Sequence, residues 1–228
     1  MNDPVSTSLP HGEIHIWTAD VDADAYAFAS LVELLAADEI DRASRFHIGR
    51  DRRRFLARRT LLRTLAGHYT GRDPAGLQFV TNAYGKPTLN TASGGACLRF
   101  NMSHSGSVVA LAFALEREVG IDVECVRPIP NWPAFAGRFL AATDIDSLRR
   151  LEGSAQCRAL LSGWTECEAM AKAQGVGLPR YLEERSLRTD RSSWSLAAFD
   201  AGEDMVGSVA SSGPGMRLLI RAVSFARR

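Results

Sequence analysis

The 228 residues are enough for one large domain or two small ones, and the hydrophobic (46%) and charged (23%) fractions are usual for a globular protein. The formal net charge of +1 excludes a general electrostatic attraction to nucleic acid or to a membrane surface, so any electrostatic function must be local. The sequence shows no signal peptide, no apolar run long enough for a membrane span, and four cysteines without disulfide or zinc spacing; we therefore expect a cytoplasmic protein with reduced thiols.

The first half of the chain is predicted to alternate between strands and helices. The stretch EIHIWTADV alternates apolar and polar residues as a strand does, and SLVELLAADEIDRASRF has helical spacing. A second helix is predicted from Asp51, with Phe55, Leu62 and Ala66 on one face, to end near Gly71. Two strand–turn–strand units then follow, LQFVTNAYGKPTL and LRFNMSHSGSVVALAFAL.

The second half is predicted to contain a short strand, helices and a final pair of strands. REVGIDVECV is the strand, the helices fall at about 133–150 and 156–174, and a Gly/Ser-rich turn separates the strands WSLAAF and MRLLIRAVSF. Such a mixture favours an α+β protein with one half at 1–116 and the other at 117–228. No sequence repeat relates the two halves.

Two carboxylates share one face of the strand GIDVE. Because alternate residues of a strand point the same way, Asp122 and Glu124 lie together while Ile121 and Val123 face the core. Neighbouring carboxylates repel unless a cation lies between them, and hard divalent ions such as Mg²⁺ prefer oxygen ligands. The alternative, favoured from the pair alone, is an edge strand with a solvated acidic face.

The predicted helix GWTECEAMAKAQG holds one of only two lysines, beside 25 arginines. Trp164, Glu168 and Lys172 stand at positions i, i+4 and i+8, hence on one face. Taken alone they indicate an aromatic anchor and a weak surface salt bridge. Set beside the GIDVE pair, Glu168 can supply a third carboxylate, whereas Glu166 should face elsewhere.

Three further segments are candidates for binding an anion. In FNMSHSG, predicted as a turn after a strand, Ser103 and His104 are better suited to phosphate contact than to a nucleophile–base pair. Eight arginines and one acid lie in the run RFHIGRDRRRFLARRTLLR, for which phosphate binding, nucleic-acid binding and a solvated helix face remain open. Lys86 is placed in the turn YGKP, well presented for an anionic ligand.

In this order, GKP, FNMSHSG, GIDVE and WTECEAMAKAQGVGL resemble the motifs of the 4′-phosphopantetheinyl transferases, most closely the large, surfactin-synthetase-activating (Sfp) type, over about residues 13–178. The resemblance implies two similar α+β halves packed as an intramolecular pseudodimer, with the active site in the cleft between them. It also implies transfer of the phosphopantetheine arm of coenzyme A to a serine of an apo acyl or peptidyl carrier protein, with release of adenosine 3′,5′-bisphosphate.

The resemblance implies roles for individual residues as well. Mg²⁺, or Mn²⁺ in its place, would be held by three carboxylates: Asp122, Glu124 and Glu168. Catalysis would involve Asp122, Glu168 as a candidate base for the serine, and Lys172 on the pyrophosphate. Coenzyme A would be bound through its phosphates and its nucleotide by five residues: Arg42, Arg54, Lys86, Ser103 and His104.

One position departs from the family's pattern. Members usually carry lysine directly before the glutamate of the helix, where this chain has Cys167. We expect that difference to alter partner or phosphate contacts without abolishing activity. We also expect a monomer that binds neither nucleic acid nor membrane, serving fatty acid, polyketide, nonribosomal peptide or siderophore synthesis. The alternative is a non-catalytic regulatory protein that binds coenzyme A or a nucleotide.

Overall fold

The computed structural model describes residues 8–23, 32–90, 97–185 and 193–223. Within these ranges the strands are β1 (Glu13–Asp20), β2 (Phe79–Thr81), β3 (Pro87–Leu89), β4 (Leu98–Ser105), β5 (Val108–Leu115), β6 (Val119–Cys125), β7 (Trp194–Phe199), β8 (Met205–Ser212) and β9 (Arg217–Ala222). The helices are α1 (Ala37–Ser44), α2 (Gly49–Thr70), α3 (Trp132–Ala136), α4 (Ala142–Leu148), α5 (Gly153–Gln174) and α6 (Leu178–Arg185), with a 3₁₀ helix at Val32–Leu34. The α+β class is confirmed.

A four-stranded sheet of order β4-β5-β1-β9 forms the centre of the first half. Strand β1 is antiparallel to β5 and parallel to β9, so the C-terminal strand returns to the sheet of the first half. Helix α2 covers one face of this sheet, because its apolar residues pack with alternate residues of the strands; the buried cluster includes Trp17, Phe100, Phe113, Leu61, Leu62 and Ala66. The helix ends at Gly71, whose φ of 64° is left-handed.

A three-stranded sheet of order β6-β8-β7 belongs to the second half. Its apolar residues Ile121 and Val123 pack in one buried cluster with Ile14 and Ile16, from the face of the first sheet that α2 does not cover. The free edges of β4 and β6 come together here, and the Asn101 Oδ1 accepts a hydrogen bond from the Ile121 amide at 3.0 Å. The two halves therefore share an apolar core beside a polar edge.

Helix α5 packs closely on the second sheet. Small side chains make this approach possible, because Ala169 and Ala173 contact Ala210 in a buried cluster. The other side of α5 faces α3, α4 and α6, where Cys167 is buried with Phe139. The helix thus stands between β6 and a second apolar cluster, which fixes its direction relative to the strand that carries Asp122 and Glu124.

Most predicted elements are confirmed, and four differences stand out. The helical stretch expected at about 133–150 is divided into α3 and α4, which residues 137–141 separate. Ser103 and His104 were expected in a turn but lie in β4, because the strand continues to Ser105 and turns only afterwards. Strand β8 occupies the stretch that was expected to be a Gly/Ser-rich turn. The first predicted helix is divided into the 3₁₀ helix and α1, while its first two residues, 30 and 31, lie outside the described residues. The division at 116/117 stays a prediction.

Candidate active site

A cavity of about 280 Å³ opens where the edges of β4 and β6 meet α5. Trp164 forms part of its wall and is held by Phe135, with ring centroids 4.8 Å apart. Six of the residues predicted for the site line this cavity: Ser103, His104, Asp122, Glu124, Glu168 and Lys172. Three separate sequence motifs therefore converge on one place in the fold.

Asp122 is the buried centre of the site. Its Oδ1 accepts hydrogen bonds from the Lys172 Nζ and from the Ser103 Oγ, both at 2.6 Å. Its Oδ2 is buried and has no hydrogen-bond partner in the described part of the chain. Burial raises the pKa of the Asp122 carboxyl, although the ammonium of Lys172 opposes that shift. An unpartnered buried carboxylate oxygen is costly, so Asp122 is poised to take another cationic partner.

The two glutamates line the cavity in different states. Glu124 is paired from outside the cavity, since its Oε2 accepts hydrogen bonds from the Arg127 Nη1 and the Ser105 Oγ, both at 2.8 Å. Burial raises the pKa of the Glu168 carboxyl, and the negative charges of Asp122 and Glu124 raise it further. Lys172 acts in the opposite direction. Among the residues that line the cavity, three carboxylates therefore stand beside a single cation, Lys172.

The three carboxylates are suitable ligands for a hard divalent ion, but their oxygens do not yet surround a common point. No group of three His, Cys, Asp or Glu side chains within residues 8–23, 32–90, 97–185 and 193–223 stands close enough to hold a metal ion as it is. Instead Lys172 occupies one oxygen of Asp122, and Arg127 holds Glu124. The unpartnered Asp122 Oδ2 is the observation that favours a metal, since oxygen donors of this kind bind Mg²⁺.

Ser103 and His104 point to opposite sides of β4. Ser103 faces β6 and Asp122, whereas His104 follows Phe100 and Met102 on the side that α2 covers. Because β4 is an edge strand, both side chains reach the cavity. Desolvation of the ring by the surrounding protein, together with the positive charge of Arg58, lowers the pKa of His104 to about 4. The imidazole is therefore neutral at pH 7.

Arg58 was not singled out by the sequence. It lies one helical turn after Arg54 on α2, and its guanidinium makes no hydrogen bond or ion pair to any described residue. Burial and the charge of Arg54 lower the pKa of Arg58 to about 10. Arg54, by contrast, is paired with Asp22 through two nitrogens. Arg52 and Arg53 also form no ion pair with a described residue, but both are exposed, so partial burial without a partner is what distinguishes Arg58 among the eight arginines of this stretch.

Besides Arg54, two predicted ligands lie outside this cavity. The Lys86 Nζ donates hydrogen bonds to the Glu118 Oε2 at 2.7 Å and to the Ala173 carbonyl at 2.9 Å, and its side chain is only 8% exposed. Arg42 is exposed on α1 beside a separate surface cavity, with its guanidinium carbon 5.4 Å from the centre of the Phe55 ring. The phosphate contacts of both residues remain predictions.

Cys167 faces away from the cavity. It is 7% exposed and belongs to the apolar cluster of α3–α6, whereas Glu168 lies beside the carboxylates. The next residue on a helix stands about 100° round the axis, which explains the separation. Glu166, expected to face elsewhere, is exposed and does not line the cavity.

Comparison with known proteins identifies the family to which the chain is similar. Residues 20–116 match the family model described as "4′-phosphopantetheinyl transferase, N-terminal", and residues 118–206 match "4′-phosphopantetheinyl transferase superfamily". The chain is 31% identical to 4′-phosphopantetheinyl transferase HetI of Nostoc sp. (strain PCC 7120), over 93% of each chain. It is 28% identical to 4′-phosphopantetheinyl transferase Sfp of Bacillus subtilis (strain 168), over 69% of this chain and 67% of Sfp.

A third similar protein, named 4′-phosphopantetheinyl transferase, is from Bacillus subtilis, with 30% identity over 69% of this chain and 68% of that protein. These comparisons lend no support to a non-catalytic binding protein. The two matched segments meet in the short connection between β5 and β6. The chain belongs to the 4′-phosphopantetheinyl transferase superfamily.

Proposed function

We propose that this transferase moves the 4′-phosphopantetheine arm of coenzyme A to a serine of an apo acyl or peptidyl carrier protein, with the help of Mg²⁺, and releases adenosine 3′,5′-bisphosphate. The observation that carries the proposal is the convergence of Asp122, Glu124, Glu168 and Lys172 on one cavity. Phosphoryl transfer needs positioning and charge neutralisation more than covalent help from the protein, and the cavity is built for both.

The phosphates of coenzyme A would lie along the edge of β4. Ser103 and Lys172 can donate hydrogen bonds on the β6 side, and the neutral His104 ring can donate on the α2 side. The uncompensated guanidinium of Arg58 adds a charge-assisted donor beside His104. Arg54 would contribute to the nucleotide end only by sharing or exchanging its partner Asp22.

Asp122, Glu124 and Glu168 would hold the metal ion. When bound, the ion would neutralise the pyrophosphate and stabilise the leaving nucleotide. The chain's own residues must then rearrange modestly: the Asp122 Oδ2 is already unpartnered, while Glu124 has to share its carboxylate with Arg127. Lys172 is free to turn from Asp122 toward the phosphates, because its side chain is 29% exposed on the cavity side.

The transfer step requires a group that accepts the serine proton. The serine oxygen forms a bond to the phosphorus that bears the pantetheine arm, and the bond from that phosphorus to the bridging oxygen of the nucleotide breaks. We assign the proton to the Glu168 carboxylate, which lines the same cavity as Lys172 and the other two carboxylates. Lys172 stabilises the negative charge that the departing nucleotide retains.

The oligomeric state, the cellular location and the carrier proteins are part of the same proposal. A monomer is expected, since the two halves already bury the apolar core between their sheets. None of the described helices is both long and apolar enough to cross a membrane. We propose action in the cytoplasm, on carrier proteins of fatty acid, polyketide, nonribosomal peptide or siderophore synthesis.

Substituting the proposed base separates chemistry from binding. Glu168→Gln keeps the shape of the side chain, so coenzyme A affinity measured by calorimetry should change less than about threefold, while turnover should fall by about 10² or more. Titrating a metal-free sample with Mg²⁺ or Mn²⁺ should restore the wild-type rate. Full turnover in the presence of a chelator, or full turnover by Glu168→Gln, would refute the proposed roles.

A further inference from the structure

The hairpin β2–β3 of the first half is hydrogen-bonded to the C-terminal end of α5. Its Lys86 reaches the Glu118 Oε2 and the carbonyl of Ala173, and its Asn82 Nδ2 donates a hydrogen bond to the carbonyl of Gly175 at 2.8 Å. We refer to these three hydrogen bonds as the hairpin clasp. Its two hydrogen bonds to α5 and the residue that follows it join residues 87 and 93 positions apart, and the hydrogen bond to Glu118 joins residues 32 positions apart.

The clasp fits the chemistry of a helix end. The last carbonyls of a helix lack partners within the helix and carry partial negative charge, so an ammonium and an amide donor stabilise them. Glu118 supplies the counter-charge that allows Lys86 to be almost fully buried. The fit is also close, because a Cβ on Gly175 would stand 3.0 Å from the Asn82 Nδ2.

The clasped carbonyl belongs to the residue next to Lys172. The backbone at Ala173 therefore sets where the Lys172 side chain begins, and its ammonium reaches Asp122 at 2.6 Å and Ser103 at 3.2 Å. A shift of this last turn moves the ammonium directly, since the side chain extends from it across the cavity. Misplacing a catalytic group by about 1 Å can cost roughly 10² in rate.

We propose that Lys86 is a positioning residue, which together with Glu118 holds the last turn of α5 so that Lys172 points into the cavity. The inference rests on the proposed role of Lys172. It differs from the phosphate contact implied by the family resemblance, because a phosphate ligand would act on coenzyme A itself. Glu118 distinguishes the two roles: an anion assists the clasp but can only weaken binding of a nearby phosphate.

The test compares Lys86→Met and Glu118→Gln singly and together. Each single variant should lower kcat by about tenfold and change the Kd for coenzyme A, measured by calorimetry, less than about twofold. The double variant should be no slower than the slower single variant, since both act through one interaction. Arg99→Gln is the matched control: it removes a half-exposed cation 3.2 Å from the same Glu118, without touching α5, and should keep the wild-type rate.

Hydrogen exchange provides a readout independent of catalysis. Amides of residues 173–176 should exchange faster in both single variants than in wild type or in the control. A Kd raised tenfold or more in Lys86→Met, with Glu118→Gln unchanged or tighter, would overturn the proposal in favour of a phosphate ligand. Unchanged kcat and unchanged exchange in Glu118→Gln would overturn it even if Lys86→Met fails to fold. If the two single variants exchange faster but the wild-type protein loads no carrier, the proposed function is refuted, and the inference that the clasp holds the end of α5 is not.

Discussion

At Gly120 the backbone of β6 lies directly against the backbone of α5, and we predict that Gly120→Ala disables the site. A Cβ added there would stand 2.1 Å from the carbonyl oxygen of Ala169 and 2.2 Å from the amide nitrogen of Ala173. Both are backbone atoms of the helix that carries Glu168 and Lys172, so no side-chain rotation relieves the clash. The strand and the helix must separate instead.

The size of the effect follows from these distances. Ordinary contact begins at 3.4 Å, so the helix axis must retreat by about 1 Å from the strand that carries Asp122 and Glu124. Overpacking of this kind costs roughly 1–3 kcal/mol in the free energy of unfolding. A displacement of about 1 Å between the two halves of a catalytic site lowers the rate roughly 10²-fold. Stability should therefore fall moderately and activity severely.

The assay combines urea unfolding with carrier-loading kinetics at a temperature where the variant is folded. Gly163→Ala is the matched control, because it adds the same methyl group to α5 on another side. There the nearest atom is a flexible methyl of Leu140 at 3.1 Å, and alanine favours the helix by up to about 1 kcal/mol. A folded Gly120→Ala enzyme with wild-type kcat would refute the claim that this contact sets the spacing of the site.

Three further predictions concern separate parts of the molecule. Cys167→Lys should change the loading rate less than tenfold but lower the melting temperature, because the new ammonium enters an apolar cluster; a larger gain in rate would show that Cys167 is a catalytic defect. Arg58→Ala should raise the KM for coenzyme A about tenfold with little change in kcat, and an unchanged KM would exclude Arg58 from the phosphate site. Burial lowers the pKa of His15 in the folded protein below its ordinary value of 6.5. As the pH falls below 6.5, His15 is therefore protonated in the unfolded chain before it is protonated in the folded one. Stability should be full above pH 6.5 and fall by up to about 1.4 kcal/mol per pH unit below it, more steeply in wild type than in His15→Asn, as pH-dependent urea unfolding can measure.

The site was largely predictable from local patterns. Strand alternation placed Asp122 and Glu124 on one face of a strand, and helical spacing placed Glu168 and Lys172 on one face of a helix. All four side chains line the same cavity, and their metal-binding and catalytic roles stay predictions. These rules depend only on residues within a few positions of each other. That β6 and α5 face each other was implied by the family resemblance, because nothing local joins the two segments.

Pairing across long distances was not predictable in the same way. Strand β8 is rich in small residues and reads as a turn, yet it is the buried centre of its sheet because both neighbours pair with it. The parallel pairing of β9 with β1 joins the two ends of the chain. Lys86 appeared well presented for a ligand, but its ammonium is bound by Glu118, which only the folded chain brings to it.

The most direct test of the central claim is the intact mass of an apo carrier protein incubated with coenzyme A, Mg²⁺ and this enzyme. The account predicts that the wild type adds the mass of one phosphopantetheine group to at least one member of a panel of acyl and peptidyl carriers. It also predicts that Glu168→Gln adds none in the same time. No mass gain on any carrier with the wild type, or an equal gain with Glu168→Gln, would contradict the assignment of this cavity as the transferase active site.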